Sequence, residues 1–444
     1  MKNKYLFPFI LMGAISLLGV FYNPASTVNP DTGLPELSGS DIAWMLTASG
    51  LVLLMTPGLA FFYGGMVSKK NIISTMLQSF IAMGVITVLW VVIGFSLAFG
   101  DSIGGFIGNP TTFFMFHNVI DGRWPLAPTI PLLLFALFQL KFAIITPALI
   151  TGSFAERVRF SAYLLFICLW SIFIYSPLAH WTWHPEGFLF KLGVLDFAGG
   201  TVVHMSAGVA ALAGAMFLGP RTSYGDSKHS EPANIPFVII GTGLLWFGWF
   251  GFNAGSAVGA NSTAVLAFGT TVVASAAAMM TWIFFDAVRG KKVSAIGACV
   301  GAVVGLVAVT PAAGFITVPQ ALFVGFISSI VSNLAVRARI KSNLDDTLDV
   351  FPCHGIGGIS GMILTGFFAK DVGLFYGPTT TFLYHLLAIA IVVTFTFVGS
   401  YLLYKVTEMI VPFRVSREDE KDGLDYTQHG ETYKLKKPVL EPAA

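Results

Sequence analysis

From Ile42 to Pro412 the chain is almost continuously apolar, interrupted only by short polar connections, and no other feature restricts the possible folds as much. Apolar runs of about 17–25 residues are long enough to cross a bilayer as helices, and in hydrocarbon only helices and closed barrels satisfy every backbone N–H and C=O internally. Eleven such runs can be marked, at 42–66, 75–98, 129–152, 160–178, 198–219, 234–255, 263–288, 294–311, 317–336, 352–369 and 380–411. The composition agrees: 55% of residues are hydrophobic and 11% charged, against about 25% charged in an average soluble domain. The expected fold is an all-α polytopic membrane protein, one continuous bundle of eleven transmembrane helices.

Residues 1–22 carry Lys2 and Lys4 ahead of an apolar run that ends at Phe21, and a polar Asn/Pro/Ser/Thr segment follows. This reads as a signal peptide, with an uncleaved first span as the alternative; either way Asn23 lies outside. The helical domain then covers 23–411, and 412–444 form a charged tail. The connections after the odd-numbered runs hold twelve basic residues: Lys69, Lys70, Arg157, Arg159, Arg221, Lys228, Arg289, Lys291, Lys292, Arg337, Arg339 and Lys341. The even-numbered connections hold three, Arg123, Lys191 and Lys370. By the positive-inside rule the mature N-terminus is outside a cytoplasmic (inner) membrane and the tail is cytoplasmic.

Several function classes fall away. A net charge of +2 without a basic stripe gives no sign of a nucleic-acid partner. Cys168, Cys299 and Cys353 form no CxxC and indicate neither a disulfide framework nor a metal site. No Walker or dinucleotide fingerprint is present, so no cofactor and no enzyme activity are expected. The small residues at Gly199-Gly200, Ala207 to Ala215, Gly241 to Gly259 and Gly355 to Gly361 instead suit close helix packing.

Ionisable groups inside spans are costly and point to function. Here they are His204, His354, His385, Lys141 and Asp286, with Asp196 and Asp349 near span ends. His204 falls in the fifth run and His354 at the tenth. Two equivalent elements separated by an odd number of spans run in opposite directions, the mark of an inverted repeat of spans 1–5 and 6–10. Such a repeat brings both histidines to the midplane on a pseudo-two-fold axis, where they can share a proton or a solute; alternatively each satisfies a buried hydrogen bond alone. His385 has no such counterpart, and the second reading is preferred for it.

The segments DFAGGTVVH ending in His204, FPCHGIGG containing His354, TPGLAFFYGG around Pro57, TGSFAERVRF around Glu156, WFGFNAGS from Trp249 to Ser256, and the tail segment GLDYTQHGE occur in that order between Asp41 and Glu431. In these the chain resembles the ammonium transporter (Amt/Mep/Rh) family, on its Amt/Mep branch. The resemblance implies an eleven-span homotrimer in which each protomer holds its own narrow apolar pore for ammonium or ammonia. It also implies an outer recruitment site of Phe138, Phe142, Trp183 and Ser256, a gate of Phe142 and Phe252 below it, and a proton relay through His204 and His354. For the tail it implies contact with a neighbouring protomer and a docking point for a PII-type nitrogen regulator; the plainer reading is a solvated extension.

Elementary chemistry fits these roles. Aromatic faces and hydroxyl oxygens replace the hydration of a small N–H-bearing cation, each desolvated ring contributing about 1–2 kcal/mol. That concentrates the ion without carrying it across bare hydrocarbon. The proton is therefore either relayed along the histidines, giving net ammonium movement, which the resemblance favours, or left behind, giving electroneutral ammonia passage. Phe138 and Phe142 are four apart and share a helix face. Asp196, eight residues before His204, is expected to cap the fifth span, with direct ion ligation as the lesser alternative. Asp349, five residues before His354, is expected to cap or shape the exit. Lys141 departs from the family's pattern beside Phe142; it points about 100° away and either snorkels or pairs at a subunit interface. A bis-histidine haem enzyme, an ammonium sensor and a potassium channel are the rival readings. The motifs oppose the first, the short tail holds no signalling domain for the second, and no TVGYG filter supports the third.

Overall fold

The computed structural model describes residues 5–22, 33–120, 122–225 and 231–433. Lys2, Lys4, Asn23, Lys228 and the tail beyond residue 433 lie outside the described residues. Among these residues twelve helices of 15 residues or more follow one another: α1 (Leu6–Phe21), α2 (Gly39–Met66), α3 (Ile72–Phe99), α4 (Leu132–Phe154), α5 (Phe160–Lys191), α6 (Gly200–Leu218), α7 (Ile235–Gly255), α8 (Ser262–Val288), α9 (Ala295–Val309), α10 (Val318–Lys341), α11 (Phe351–Phe368) and α12 (Thr380–Ile410). Among the described residues ten of these are long and apolar enough to cross a membrane; α1 and α9 are shorter. The eighth run of the sequence thus forms a helix of 15 residues, α9, which at 1.5 Å per residue rises only about 22 Å. α5 reaches beyond its predicted end, through Trp183 and, after a break, to a last turn at Phe188–Lys191.

The helix starts follow from local chemistry. Asn234, Asn261 and Ser294 each accept a hydrogen bond from the backbone three residues on, and Thr317 with Gln320 forms a reciprocal capping box at α10. Gly58, Gly241, Gly248 and Gly251 line the seam between α2 and α7, and Gly301, Gly305 and Gly325 meet Ala274 and Ala278 among α8, α9 and α10. Small residues at such seams bring backbones close where lipid supplies no hydrophobic drive. Leu383, Leu387, Val398, Leu402 and Met409 of α12 face outward, exposed, as a bundle solvated by lipid requires.

Two short helices, α13 (Arg417–Asp422) and α14 (Leu424–His429), fold the tail back onto the bundle. Arg414 donates to the carbonyls of Leu218 (2.9 Å) and Pro220 (2.8 Å) and pairs with Glu420 (2.9 Å). Leu424 N–H donates to Asn71 Oδ1 at 2.8 Å, and Ser74 N–H to Asp425 at 2.7 Å. The same face holds a charge cluster: Arg221 pairs with Glu156 (2.7 Å) and Asp345 (2.9 Å), and Arg157 lies 3.8 Å from Asp345. The connections after α2, α4, α6 and α10, which carry much of the basic excess, therefore gather on one face with the tail.

Candidate functional site

The site is built on two helix starts. α6 opens with a π-helical turn, Gly200–Met205, and α11 with another, Phe351–Gly355; each turn carries one of the two histidines. Such turns are rare and recur at functional sites. Ahead of α6, Asp196 accepts the N–H groups of Gly199 (2.8 Å), Gly200 (2.6 Å) and Thr201 (2.7 Å). Ahead of α11, Asp346 accepts those of Val350 (3.1 Å) and Phe351 (2.7 Å). Both carboxylates stand eight residues before their histidine. Each π turn packs against the helical body of the other segment, so the two segments cross where the histidines sit.

Glycines make the crossing possible. Gly208 and Gly358 each lie four residues after a histidine. A Cβ on Gly208 would fall on the backbone of Gly355, and one on Gly358 would lie 3.2 Å from His204 Cβ and 3.0 Å from Met205 N. The crossing sets the imidazoles together: their Nδ1 atoms are 3.4 Å apart and their ring centres 5.5 Å. One Nδ1 must carry a proton and the other accept it. His204 Nε2 has no protein partner. His204 stacks on Trp249 (5.2 Å) and Phe252 (5.8 Å), and the indole is fixed by its N–H to Thr310 Oγ1 at 2.9 Å. The free space around the pair, lined otherwise by Met55, Leu59, Leu149 and Val303, is about 10 Å³, near the least that holds one water.

Beyond Phe252 lies a cavity of about 270 Å³ lined by Phe142, Trp183, Ser256, Asp196, Gln139 and Phe135 among others. Phe142, on the cavity wall, packs on Phe252 with ring centres 4.3 Å apart, and Trp183 meets Phe142 edge-on at 5.8 Å. Trp183 Nε1 donates to the Asp196 carbonyl at 3.1 Å, so the cap of α6 also holds the indole. Ser256 Oγ donates to Phe252 O at 2.8 Å, leaving its lone pairs free toward the cavity. Where α11 begins, on the opposite side of the crossing, a polar cavity of about 250 Å³ is lined by Ser68, Glu156, Arg221, Tyr224, Arg339 and Thr347.

The sequence-derived residues thus converge, with differences. Phe138 is fully buried behind Phe142, 5.0 Å centre to centre, and the stripe of α4 that lines the cavity is Phe135, Gln139 and Phe142. Asp349 pairs with Arg339 at 2.7 Å; Asp346 takes the capping position, because eight residues rather than five bring a carboxylate to the first free N–H groups. Lys141 lines none of these cavities. His385 accepts Leu195 N–H (3.0 Å) and donates to Met362 O (2.8 Å), bracing the segment that ends in Asp196. Asp286 pairs with Lys291 at 3.1 Å. Asp346 and Gln139 were not singled out in the sequence, and Gly208, Gly358 and Trp249 stood there only within small-residue runs or a motif, although the repeated eight-residue and four-residue spacings around the histidines carried the signal for Asp346 and the two glycines.

An aromatic-lined cavity, two stacked phenyl rings and a nearly dry space beside paired histidines lie within a multi-pass helical membrane bundle. A family model described as Ammonium Transporter Family matches residues 43–434, and the chain belongs to that family. It is 42% identical over 438 residues to an "Ammonium transporter" of Mycobacterium tuberculosis, covering 91% of each chain, and 43% identical over 433 residues to an "Ammonium transporter" of Aquifex aeolicus, covering 95% of this chain and 99% of the relative. Among solved structures it resembles Saccharomyces cerevisiae Mep2, with a TM-score of 0.81, 34% identity and coverage of 86% of this chain and 88% of the other. It also resembles a protein described as "Sensor Amt Protein", with a TM-score of 0.81, 28% identity and coverage of 88% and 98%. Membership points to ammonium transport or sensing, and the relatives are named as transporters.

Proposed function

We propose that this protein carries ammonium inward across the cytoplasmic membrane by recruiting the cation between Trp183, Phe142 and Ser256. Past the phenyl gate the ion gives up its proton to the unpaired Nε2 of His204, and ammonia and proton pass the His204–His354 pair, amounting to net ammonium uptake. The observation that supports this is the unbroken series of ring contacts from Trp183 through Phe142, Phe252 and His204 to His354. Every step along it exchanges a hydrated cation's partners for π faces or imidazole nitrogens, while the space beside the histidines is too small for a hydrated ion. Asp196 and Asp346 serve as the caps that hold the two half-spans, and Asp349 shapes the exit with Arg339.

In the same reading α9 is the eighth of eleven spans, residues 1–22 are a signal peptide, the tail is cytoplasmic, and the protein works as a homotrimer open to a PII-type regulator. The second reading is an ammonium sensor, favoured by the likeness to the protein of that description. An ammonium pulse on proteoliposomes of the purified full chain, beside empty liposomes, separates the two. A saturable inward current supports transport. Ammonium binding without current removes net ammonium uptake and leaves an electroneutral ammonia channel or a sensor.

A further inference from the structure

Gln139 sits on α4 between Phe135, four residues before it, and Phe142, three residues after, so successive turns present phenyl, amide and phenyl to the outer cavity. Its side chain is 8% exposed, and its amide has no hydrogen-bond partner; Oε1 is buried and unpaired. The neighbouring polar groups are mostly committed. Asp196 is occupied by the start of α6, and Trp183 Nε1 by the Asp196 carbonyl. Ser256 keeps free lone pairs, and the Thr182 hydroxyl on the same cavity wall is likewise unpaired.

An amide held almost fully buried without a partner is unusual, and here it faces the space where a cation shedding water must find acceptors. An amide rotates about its last torsion to present either end, and only its oxygen accepts. A donor-rich cation therefore selects the orientation with Oε1 toward the cavity. We propose that Gln139 Oε1 is an uncharged hydrogen-bond acceptor for the cation in the outer cavity, beside Ser256 Oγ, and that it sets selectivity among cations by their number of N–H donors. This rests on the reading that the cavity receives ammonium. A neutral carbonyl offers the ion a strong acceptor without the full charge that would hold it in place, and a methylated ammonium, with one N–H fewer, loses more by failing to fill it than a ring face alone would register.

The test uses the purified full chain as unmodified protein, Gln139→Leu and Gln139→Glu. Ammonium and methylammonium are titrated in two assays, proteoliposome current and intrinsic tryptophan emission; the second reads binding whether or not current flows. Gln139→Leu should raise the half-saturating ammonium concentration about tenfold or more, as expected for a lost bond to a charged ligand, with little change in maximal current and a smaller difference between ammonium and methylammonium. Gln139→Glu, which keeps an acceptor oxygen, should return half-saturation to or below that of the unmodified protein. An unchanged half-saturation in Gln139→Leu overturns the proposal, as does a Gln139→Glu variant as weak as Gln139→Leu. Absence of current in all three proteins with these binding shifts intact upholds the assignment of Gln139 and rejects net ammonium movement instead.

Discussion

Nδ1 of His204 lies 3.4 Å from Nδ1 of His354 across 150 residues of sequence. The two histidines come from separate half-spans, each capped by an aspartate eight residues upstream and each followed four residues later by the glycine that lets the other half approach. The geometry of the pair is thus a property of the crossing, and the crossing is where the account is most exposed to test.

Gly208→Ala would place a methyl group on the Gly355 backbone. Overpacking of this kind costs about 1–3 kcal/mol, and relief here requires the half-spans to separate. The expected outcome is a lower melting temperature in detergent together with loss of most ammonium current, whereas Gly243→Ala, where a Cβ meets nothing within 4 Å, leaves both unchanged. Normal current in Gly208→Ala would show that the close crossing is not required.

Asp196→Ala strands the N–H groups of Gly199, Gly200 and Thr201, each unpaired buried donor costing about 1–3 kcal/mol. It also loosens the segment whose carbonyl holds Trp183. Asp196→Asn keeps one acceptor oxygen and should fall between the unmodified protein and the alanine variant in both melting temperature and current. The Asp346 variants should rank in the same order, since that carboxylate caps the matching half-span.

Phe252→Ala removes the ring that stacks 4.3 Å from Phe142 and covers His204. Stability should fall by about 3–5 kcal/mol, the usual loss for a buried phenylalanine. The barrier beneath Phe142 opens, so potassium and methylammonium currents should rise relative to ammonium. Ion replacement on proteoliposomes reads this directly.

The charge cluster opposite the vestibule predicts a response to acid. Burial pushes the Glu156 carboxyl up, yet Arg221 at 2.7 Å and the Ser68 N–H outweigh it and hold it below the ordinary carboxylate range. For Asp345 burial also acts upward, and the bonds from Arg221 with the charge of Arg157 bring it below as well. A carboxyl with a depressed folded pKa contributes stability that is complete above its unfolded pKa, about 4, and is lost as pH falls through the lower folded value. The contribution of these two carboxyls is therefore constant from neutral pH to about 5, and its loss should lower the melting temperature below about pH 4. Arg221→Met should reduce that drop and lower stability at neutral pH, where it leaves two buried carboxylates short of a partner.

Much of this was legible in the sequence because a bilayer imposes a strict grammar. Long apolar runs located ten of the membrane-length helices, and the low number of intramembrane charges made His204 and His354 conspicuous. Phe142, Trp183 and Ser256 line one cavity and Phe252 packs on Phe142, whereas Phe138 does not line it, since a spacing of four says that two rings share a helix face but not how the neighbouring helix covers it. Asp349 drew attention by nearness to His354, yet the capping residue is Asp346, whose eight-residue offset matches that of Asp196. α9 is shorter than its run of apolar residues suggested, because the turn at Thr310 and Pro311 ends the helix before the hydrophobic pattern ends. Gln139 gave no sequence signal: a buried amide is recognised as unpaired only when its surroundings are in place.

The most direct test of the account is the ammonium-evoked current of proteoliposomes carrying the unmodified chain beside those carrying His204→Ala with His354→Ala. A saturable, ammonium-selective current is expected in the first and, in the second, its loss or replacement by a current that no longer distinguishes ammonium from potassium. An equal, equally selective current in both would contradict it, since ammonium would then be crossing without the paired histidines.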